Sequence, residues 1–383
     1  MNADASPPLG LSGVRTWSRP SAQPLAAAGR PGSGQFIRNI WYAALWSSEL
    51  PAGKLVSQMI TGTPVLFFRK EDGSAAAITD RCSHHFVPLS MGQIMPGDRV
   101  QCPYHGLEFN AQGRCVKNPH GDGTIPAAAH LQSFPVVEKH TVIWIWMGNK
   151  PATPETIPNY SCLDNAPELH ATAPAYLYMN AGYELLTDNL LDLSHTSYLH
   201  SGILGNADTV VADISVVQEG DTVTVARPSR DAENPGILKM MLPEPMDRGD
   251  QYSTIRWSPP GCLLLEFGCS PVGQPKETGT GYFAIHFITP ETDRTTHYRF
   301  SAVRWHVMTT SPELNAQIRE KIAQTRKFAF SEQDLPVIEA QQRRIDEAGT
   351  PLTPVLLPID AGPVRYQRIL KRLLDADNAA EKR

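Results

Sequence analysis

The sequence has no apolar run that approaches the ~20 residues a membrane-spanning helix needs, although the chain is 383 residues long. It also has no excess of basic residues, because the net charge is −5 and the pI is near 6.2. Neither a membrane nor a nucleic acid is therefore expected as a partner. The six cysteines follow no disulfide framework, which argues against a stapled secreted protein. We expect a globular protein with room for two domains.

Motifs for taking electrons from a nicotinamide cofactor are also absent. No Gly-x-Gly-x-x-Gly fingerprint follows a strand, and there is no plant-type Cys-x(4)-Cys-x-x-Cys motif. Residues 1–36 are rich in Ser, Pro, Ala and Gly, without the apolar core of a secretory signal or a twin-arginine pair. We expect this segment to be a flexible arm and the protein to be cytoplasmic.

Two cysteine–histidine pairs stand within 24 residues, as Cys82-x-His84 and Cys102-x-x-His105. Two thiolates and two imidazoles are the donors of a Rieske [2Fe–2S] cluster, with the cysteines on one iron and the histidines on the other. Structural zinc is the alternative, since a Cys₂His₂ set can hold a tetrahedral metal. Zinc fingers, however, group cysteine with cysteine and histidine with histidine. The spacing therefore favours the cluster.

A second constellation follows in residues 184–200, which we predict to be helical. It contains Asn189, Asp192, His195 and His200. Two histidines and a carboxylate form the facial triad of non-haem Fe(II) oxygenases. On an ideal helix the two histidines lie ~140° apart, so both bind one metal only if the helix ends between them or carries a π-type turn. Histidines that cap, hydrogen-bond or face solvent are the alternative.

Apolar patterning outlines the remaining elements. Short apolar runs bounded by turn residues, such as Val65–Phe68 and Thr141–Met147, predict a small antiparallel β domain. The Pro-rich segment 151–158 is the candidate domain boundary. Beyond it, strands are predicted around 171–182, 210–226, 252–267, 281–289 and 295–306, and further helices near 312–328 and 335–348. The stretch 363–375 is amphipathic, and we expect it to dock on its own domain. This pattern is typical of an α+β fold.

The two motifs together make the chain resemble the oxygenase component of a Rieske non-haem iron oxygenase, over nearly all of residues 37–383. The family pattern is Cys-x-His-x(~17)-Cys-x-x-His followed by Asn-x-x-Asp-x-x-His-x(4)-His, and both occur here in that order. The chain is most similar to the vanillate O-demethylase and dicamba monooxygenase branch, through stretches such as 39–42, 187–195, 287–292 and 339–342.

The resemblance implies an N-terminal all-β Rieske [2Fe–2S] domain at residues 37–150. It also implies a helix-grip (START-like) α+β catalytic domain with a mononuclear Fe(II) at residues 151–383. By position, Asp334 would be the third iron ligand. Because Leu335 and Pro336 follow it, a helix N-cap is the alternative role for this aspartate.

Roles for further residues also come from the resemblance. Asp192 would connect His195 to the cluster ligand His105 of a neighbouring subunit in a homotrimer; a simple orienting contact to His195 is the alternative. Asn189 would lie near the iron without binding it. His286 stands where related sequences have a pocket histidine, and it would contact substrate unless it is an ordinary strand residue.

The implied function is that of a terminal oxygenase using O₂ and electrons from a separate NAD(P)H-dependent reductase, with or without a ferredoxin. In this branch a methoxylated aromatic acid loses its methyl group through a hemiacetal that collapses to a phenol and formaldehyde. Ring dihydroxylation, N-demethylation and aryl methyl hydroxylation are alternative outcomes, and a non-enzymatic electron carrier would have no use for the second motif. One departure is His85, where relatives have arginine; we expect it to pack beside the cluster rather than bind it.

Overall fold

Antiparallel strands build the N-terminal part of the protein. The structure, a computed structural model, describes residues 35–164 and 166–381. Its first strands are β1 (Ile40–Trp46), β2 (Val56–Ile60), β3 (Thr63–Arg69), β4 (Ala75–Thr79), β5 (Gln93–Met95), β6 (Arg99–Gln101), β7 (Glu108–Asn110), β8 (Cys115–Lys117), β9 (Ser133–Phe134), β10 (Val136–Lys139) and β11 (Val142–Met147). They pair in the orders β1-β11-β10, β2-β3-β4-β9 and β5-β6-β7-β8.

The buried strand β3 shows how one strand serves two cores. Successive side chains of a strand point to opposite faces. Val65 and Phe67 accordingly lie in one apolar cluster with residues of β1 and β11. Leu66 and Phe68 lie in a second cluster, which also contains Cys82. The predicted apolar run is therefore a strand buried on both faces, and one of its faces lies beneath the first cysteine–histidine pair.

The second part of the chain is a sheet with helices packed on it. Its strands are β12 (Ala175–Met179), β13 (Ser215–Glu219), β14 (Thr222–Ala226), β15 (Ser229–Glu233), β16 (Arg248–Ser258), β17 (Cys262–Ser270), β18 (Thr280–Pro290) and β19 (Thr296–Trp305). The helices are α1 (Tyr183–Leu191), α2 (Gly236–Lys239), α3 (Pro312–Phe328), α4 (Leu335–Glu347) and α5 (Ala361–Glu381). The sheet order is β12-β19-β18-β17-β16-β14-β13, with β15 also paired to β16.

The C-terminal helix α5 covers part of this sheet. Its apolar face buries Tyr366, Ile369 and Leu370 in the same cluster as Val225 and Trp257. The rings of Tyr366 and Trp257 meet edge to face, with centroids 4.9 Å apart. A sheet packed on a long helix confirms the α+β fold. Among the described residues, no helix is long and apolar enough to cross a membrane.

The predicted helix over 184–200 is wrong in its second half. Helix α1 ends at Leu191, and His195 begins a separate short 3₁₀ turn. At Asp192 the carboxylate accepts the backbone N–H of Ser194 at 2.8 Å, and the main-chain carbonyl accepts the ring Nδ1–H of His195. Such local side-chain bonds compete with helix propagation. The helix thus ends before both histidines, not between them.

A π-type turn does occur, in a different segment. Residues Ala329–Asp334 form a π-helical stretch that joins α3 to α4 without a break. Asp334 has helical backbone angles and its side chain makes no cap hydrogen bond. The capping alternative for this residue is therefore not supported. A π turn shifts the side chains that follow it relative to the helix before it, and such turns often lie at functional sites.

The two parts of the chain are joined by shared contacts. Trp46 on β1 meets Phe287 on β18 edge to face, with centroids 5.5 Å apart. The Thr289 hydroxyl donates to the main-chain oxygen of Ala43 at 2.7 Å, and Arg299 pairs with Glu49 at 2.6 Å. The predicted domain limits at residues 37–150 and 151–383 stay predictions, and the predicted arm falls almost wholly outside the described residues.

Candidate metal centres and cavity

The two cysteine–histidine pairs lie in loops that close in the same way. Cys82 follows β4 and Cys102 follows β6. In each loop the cysteine N–H donates to the carbonyl five residues later, and its carbonyl accepts from the N–H four residues later, at 2.8–3.1 Å. That fourth residue is Phe86 in one loop and Gly106 in the other, with φ of 62° and 69°. Two equivalent loops thus present the four donors.

The four donors form two separate pairs. Both cysteines are buried in one apolar cluster, and their thiols are hydrogen-bonded neighbours. The rings of His84 and His105 lie outside, with centroids 4.6 Å apart. These four side chains do not bring three donor atoms within 4.8 Å of one another; in the described part of the chain, only one other group does so. Two thiols beside two imidazoles suit a two-iron cluster with mixed ligands better than one tetrahedral zinc.

Aromatic side chains surround the histidine side of these loops. His85 packs against His84, with ring centroids 3.9 Å apart, as expected for a residue beside the cluster. Tyr104 packs on His105 at the same centroid distance. Phe86 and Tyr104 are 69% and 62% exposed. The cluster loops therefore present an aromatic surface on which another protein surface could dock.

The second centre is buried and is built from residues far apart in the chain. His195, His200 and Asp334 place one donor atom each within 4.8 Å of one another. The Asp334 Oδ1 atom lies 3.2 Å from Nε2 of His200 and 3.7 Å from Nε2 of His195. Loop residues after α1 thus meet the end of the π turn. This is a two-histidine, one-carboxylate arrangement of the kind that holds non-haem iron.

The other nitrogen of each ring fixes its tautomer. Nδ1 of His195 contacts the carbonyl oxygen of Asp192, and Nδ1 of His200 lies 2.8 Å from Oε1 of Gln333. Both partners can only accept, so each Nδ1 carries the proton. The lone pair of each Nε2 then faces Asp334. Such partner contacts orient metal-binding imidazoles.

The Asp334 carboxylate itself has room for a cation. Its Oδ1 accepts the side-chain N–H of Asn189 at 3.2 Å, whereas its Oδ2 is buried without a hydrogen-bond partner. An unpaired buried carboxylate oxygen is costly. A bound divalent metal would satisfy it together with the two Nε2 lone pairs. The residues present therefore fit a mononuclear iron, and Asn189 lies where a residue that positions the carboxylate should be.

The local electrostatics differ between the two histidines. Burial lowers the pKa of His195, against the opposing charge of Asp334. Burial also acts to lower the pKa of His200, but the Asp334 carboxylate, which would stabilise an added proton on this ring, outweighs it, and the net shift is upward. His195 is thereby kept neutral, the form in which an imidazole binds a metal.

Asp192 contacts His195 as expected, but through its main chain and not through its carboxylate. The predicted contact to His195 is made by the Asp192 main-chain oxygen. Both hydrogen bonds found for the carboxylate go from Ser194 to Oδ1. The side chain is only half-buried. The Asp192 carboxylate therefore stays available for a contact with a group other than His195 or Ser194.

Arg227 holds the loop that carries His195, a role that no sequence signal indicated. This buried guanidinium donates to the carbonyl oxygen of Leu193 at 2.8 Å and to the carbonyl oxygen of Thr209. It also donates to the Ser197 hydroxyl at 3.3 Å. After Leu191 the backbone forms only short turns, such as the 3₁₀ turn at His195–Ser197, and Arg227 adds hydrogen bonds that fix this segment.

A cavity of about 790 Å³, including its open mouth, adjoins this centre. Apolar side chains from the sheet and from α1 line most of it, among them Leu190, Ile255 and Phe267. All three residues of the metal group line it as well. A molecule in the cavity would therefore contact both the apolar wall and the metal.

His286 also lines the cavity, as its predicted role requires. Its Nδ1 lies 2.6 Å from the Tyr298 hydroxyl, and its Nε2 is buried without a partner. Burial, and after it the charge of Arg326, lowers the pKa of His286 well below its usual range. The ring is therefore neutral and can offer an uncharged hydrogen bond.

Sequence reasoning missed Gln333 and Arg326, for different reasons. Gln333 carried no signal apart from its place next to Asp334. Arg326 did have one, because Ile318, Ile322 and Arg326 recur every four residues on the buried face of α3. A stripe at that spacing marks the core-facing side of a helix. Its third member should therefore be buried too.

Comparison with known proteins agrees with this geometry. Residues 40–135 match the Rieske [2Fe-2S] domain, and residues 179–376 match the vanillate O-demethylase oxygenase C-terminal domain. The dicamba O-demethylase oxygenase component of Stenotrophomonas maltophilia is 36% identical over 350 residues, 88% of this chain and 98% of that protein. The chloroacetanilide N-alkylformylase oxygenase component of Rhizorhabdus wittichii is 35% identical over 345 residues, 89% and 97% of the two chains.

A solved structure extends the likeness to three dimensions. Dicamba monooxygenase bound to 3,6-dichlorosalicylic acid superposes with a TM-score of 0.81 at 33% identity, covering 90% of this chain and 99% of that one. The expected family, fold class and cofactors are thereby confirmed. The chain belongs to the Rieske non-haem iron oxygenases, as the oxygenase component of a monooxygenase that carries a [2Fe–2S] cluster and a mononuclear iron.

Proposed function

We propose that this oxygenase removes the methyl group of a methoxylated aromatic acid, using O₂ and electrons from a separate NAD(P)H-dependent reductase. The observation that carries the proposal is the cavity, whose apolar wall and metal group meet in one space. An aromatic ring suits the wall, and a methoxy group can lie against the metal end. A relative that is 36% identical is an O-demethylase oxygenase component, which supports the same reaction.

Each metal-site residue has a defined task in this proposal. His195, His200 and Asp334 would hold the iron, while Gln333 and Asn189 would keep their donor atoms oriented. Cys82, Cys102, His84 and His105 would hold the cluster. When bound, the iron would supply activation of O₂ and the cluster would supply electrons one at a time. The chain's own contribution is to position the methyl group and to exclude water from it.

The proposed reaction balances without a further reagent. One oxygen atom enters a C–H bond of the O–CH₃ group, and the other leaves as water after taking two electrons and two protons. The resulting hemiacetal breaks its C–O bond to give a phenol and formaldehyde. The apolar lining at Leu190, Ile255 and Phe267 would hold the ring during this sequence.

We also propose that the protein works as a homotrimer, in which Asp192 contacts His105 of a neighbouring subunit. Among the described residues, no hydrogen bond, ion pair or ring contact connects the cluster loops to the iron-site residues of the same chain. The exposed rings of Phe86 and Tyr104 and the half-buried Asp192 offer surfaces for such an arrangement. We place the protein in the cytoplasm, since none of the six cysteines, all of which lie in the described residues, is in a disulfide, and a reducing compartment suits them.

The test is turnover with a panel of methoxybenzoates, a surrogate reductase and NADH. Formaldehyde and the matching phenol, formed in equal amounts to the NADH consumed, are the expected result. NADH loss without formaldehyde from every member of the panel would contradict O-demethylation.

N-Dealkylation is the second candidate, because a relative that is 35% identical is a chloroacetanilide N-alkylformylase. The same assay distinguishes the two reactions. Formaldehyde from N-methylanilines, with none from the methoxybenzoates, would assign the second reaction.

A further inference from the structure

Arg326 is a buried cation in the wall of the cavity. It lies in the last turn of α3 and is 2% exposed, a burial that arginine rarely reaches without an acidic partner. Its guanidinium carbon lies 5.3 Å from the ring centroid of Phe330 and 5.5 Å from that of Phe300. These rings hold the side chain in place, but they do not neutralise its charge.

The described residues give Arg326 no counter-ion. No ion pair of its guanidinium is found among them, and its Nη2 is buried without a hydrogen-bond partner. Burial accordingly lowers its pKa, although a guanidinium stays charged in proteins. An uncompensated buried charge is strongly unfavourable unless something pairs with it. A bound anion would supply the partner that the described residues lack.

The cavity offers no competing partner for such an anion. Asp334 is the one carboxylate in its lining, and it belongs to the metal group. The second lining cation, Arg227, donates from Nη1 and Nη2 to carbonyl oxygens, and only its Nε is buried without a partner. His286 is neutral and carries no charge that could pair with an anion. Arg326 is thus the lining cation whose terminal Nη2 has no hydrogen-bond partner.

The positions of Arg326 and Asp334 suit an elongated ligand. Both line the cavity, and both lie on the continuous helical run of α3, the π turn and α4. Eight residues of helix correspond to roughly 12 Å along the axis at ~1.5 Å per residue. An aromatic ring between them can have its anionic group at one end and its reacting methyl group at the metal end.

We propose that Arg326 binds the oxyanion substituent of the substrate and so restricts the enzyme to aromatic acids, either carboxylates or sulfonates. The inference rests on the proposed function in taking this cavity as the substrate site. It does not depend on which bond is oxidised. A guanidinium fork matches a planar carboxylate well, and such charged hydrogen bonds are stronger than neutral ones.

The test compares anions with neutral isosteres by binding, without turnover. Methoxybenzoates and the corresponding methoxybenzamides are titrated calorimetrically into the oxidised, iron-loaded protein. Wild type should bind the benzoates at least about tenfold more tightly. Arg326→Gln should bring that ratio close to one, and Arg326→Lys should leave an intermediate ratio. A methoxybenzenesulfonate arm shows whether the preferred anion is a carboxylate or a sulfonate.

The matched control is Arg304→Gln. Arg304 is also a buried arginine, but it donates to Asn315 and Thr309 and does not line the cavity. This variant should keep the wild-type preference for anions. The melting temperature adds a second readout: Arg326→Gln should melt no lower than wild type, because an unpaired charge is lost.

Two results would overturn the proposal. One is a wild type that binds benzoates no better than benzamides. The other is an Arg326→Gln protein that keeps the preference while melting lower, which would make the guanidinium a structural contact to the rings. If the anion preference depends on Arg326 but no methoxyarene yields formaldehyde, the proposed reaction fails and this inference stands.

Discussion

The two metal centres of this chain are built in opposite ways. The cluster donors come from two short loops within a span of 24 residues, and the ring of His84 is exposed. The mononuclear donors come from segments more than 130 residues apart, as the contact between His200 and Gln333 shows. His200 and Asp334 are each 1% exposed. One centre is thus local and open to the surface, and the other is distant in sequence and enclosed.

The difference follows from what each centre must do. A centre that receives electrons from another protein must lie near the surface, and a turn-rich loop can place ligands there without a large core. A centre that performs oxygenation gains from a dry site, where fixed dipoles and charges act more strongly. Distant elements packed around an apolar cavity provide such a site. We therefore expect that either centre can be lost without the other.

The largest expected effect comes from removing one ligand at each centre. His200→Ala should lose mononuclear iron and turnover while the Rieske absorption spectrum persists, because within residues 35–164 and 166–381 no hydrogen bond, ion pair or ring contact joins the cluster loops to this site. Cys102→Ser should lose the spectrum while mononuclear iron stays. Iron and acid-labile sulfide assays with visible spectra measure both. Simultaneous loss of both metals in either variant would mean that the two centres are not built independently.

Asp192→Asn tests whether the two centres communicate across a subunit boundary. The change keeps size and removes charge, so both metals should stay while turnover falls severely. Its backbone contact to His195 does not involve the side chain and should persist. Stopped-flow oxidation of the reduced cluster measures the transfer step, and unchanged rates would return Asp192 to a local role.

A mixing experiment complements that variant. If the protein forms the proposed trimer, assemblies that mix Cys102→Ser and His200→Ala chains should regain partial activity that neither variant has alone. Full inactivity of verified mixed trimers would show transfer within a single chain instead.

Gln333→Ala should have a smaller effect, restricted to the enclosed centre. The Gln333 side chain fixes the Nδ1 proton of His200, and removal of such a partner typically weakens metal affinity 10–100-fold. Competition with a chelator measures the loss, and the cluster spectrum is the internal control. Gln333→Glu keeps an acceptor and should largely restore affinity, whereas a merely structural role would not separate the two variants.

The cluster donors are close in sequence and the mononuclear donors are distant, and this difference determines how well the sequence predicts each centre. The cluster motif is local, so its spacing alone predicts the four donors and favours the cluster over zinc. The strands and helices α3 and α4 were also predictable from apolar periodicity. Asp334 was reached only through resemblance, because nothing local distinguishes a ligand from a cap. The end of α1 at Leu191 depends on side-chain bonds at Asp192, and the π turn depends on packing around the site. Neither leaves a periodic signal.

Titration should distinguish the enclosed region from the open one. Burial, and then the charge of Asp188, raises the pKa of Glu184 on α1 to about 8. The folded state therefore holds a proton that the unfolded state releases above about pH 4.5, and the stability from this group falls as pH rises towards 8. Glu184→Gln should flatten the decline in melting temperature between pH 6 and 8. Equal slopes in variant and wild type would rule out the assignment.

The smallest expected effect concerns the backbone of the open centre. Phe86 has a φ of 62°, a left-handed conformation that costs a side-chain-bearing residue about 1 kcal/mol, and its ring is 69% exposed. Phe86→Gly should relieve that cost and lose little packing, with a net stabilisation below about 1 kcal/mol. Tyr104→Gly is the matched control, since Tyr104 is similarly exposed but has no positive φ, and glycine there should destabilise by roughly 0.5–1 kcal/mol. Thermal bleaching of the cluster absorption compares the two variants, and a Phe86→Gly protein that bleaches at a lower temperature than Tyr104→Gly would show that the ring, not the backbone, dominates at this position.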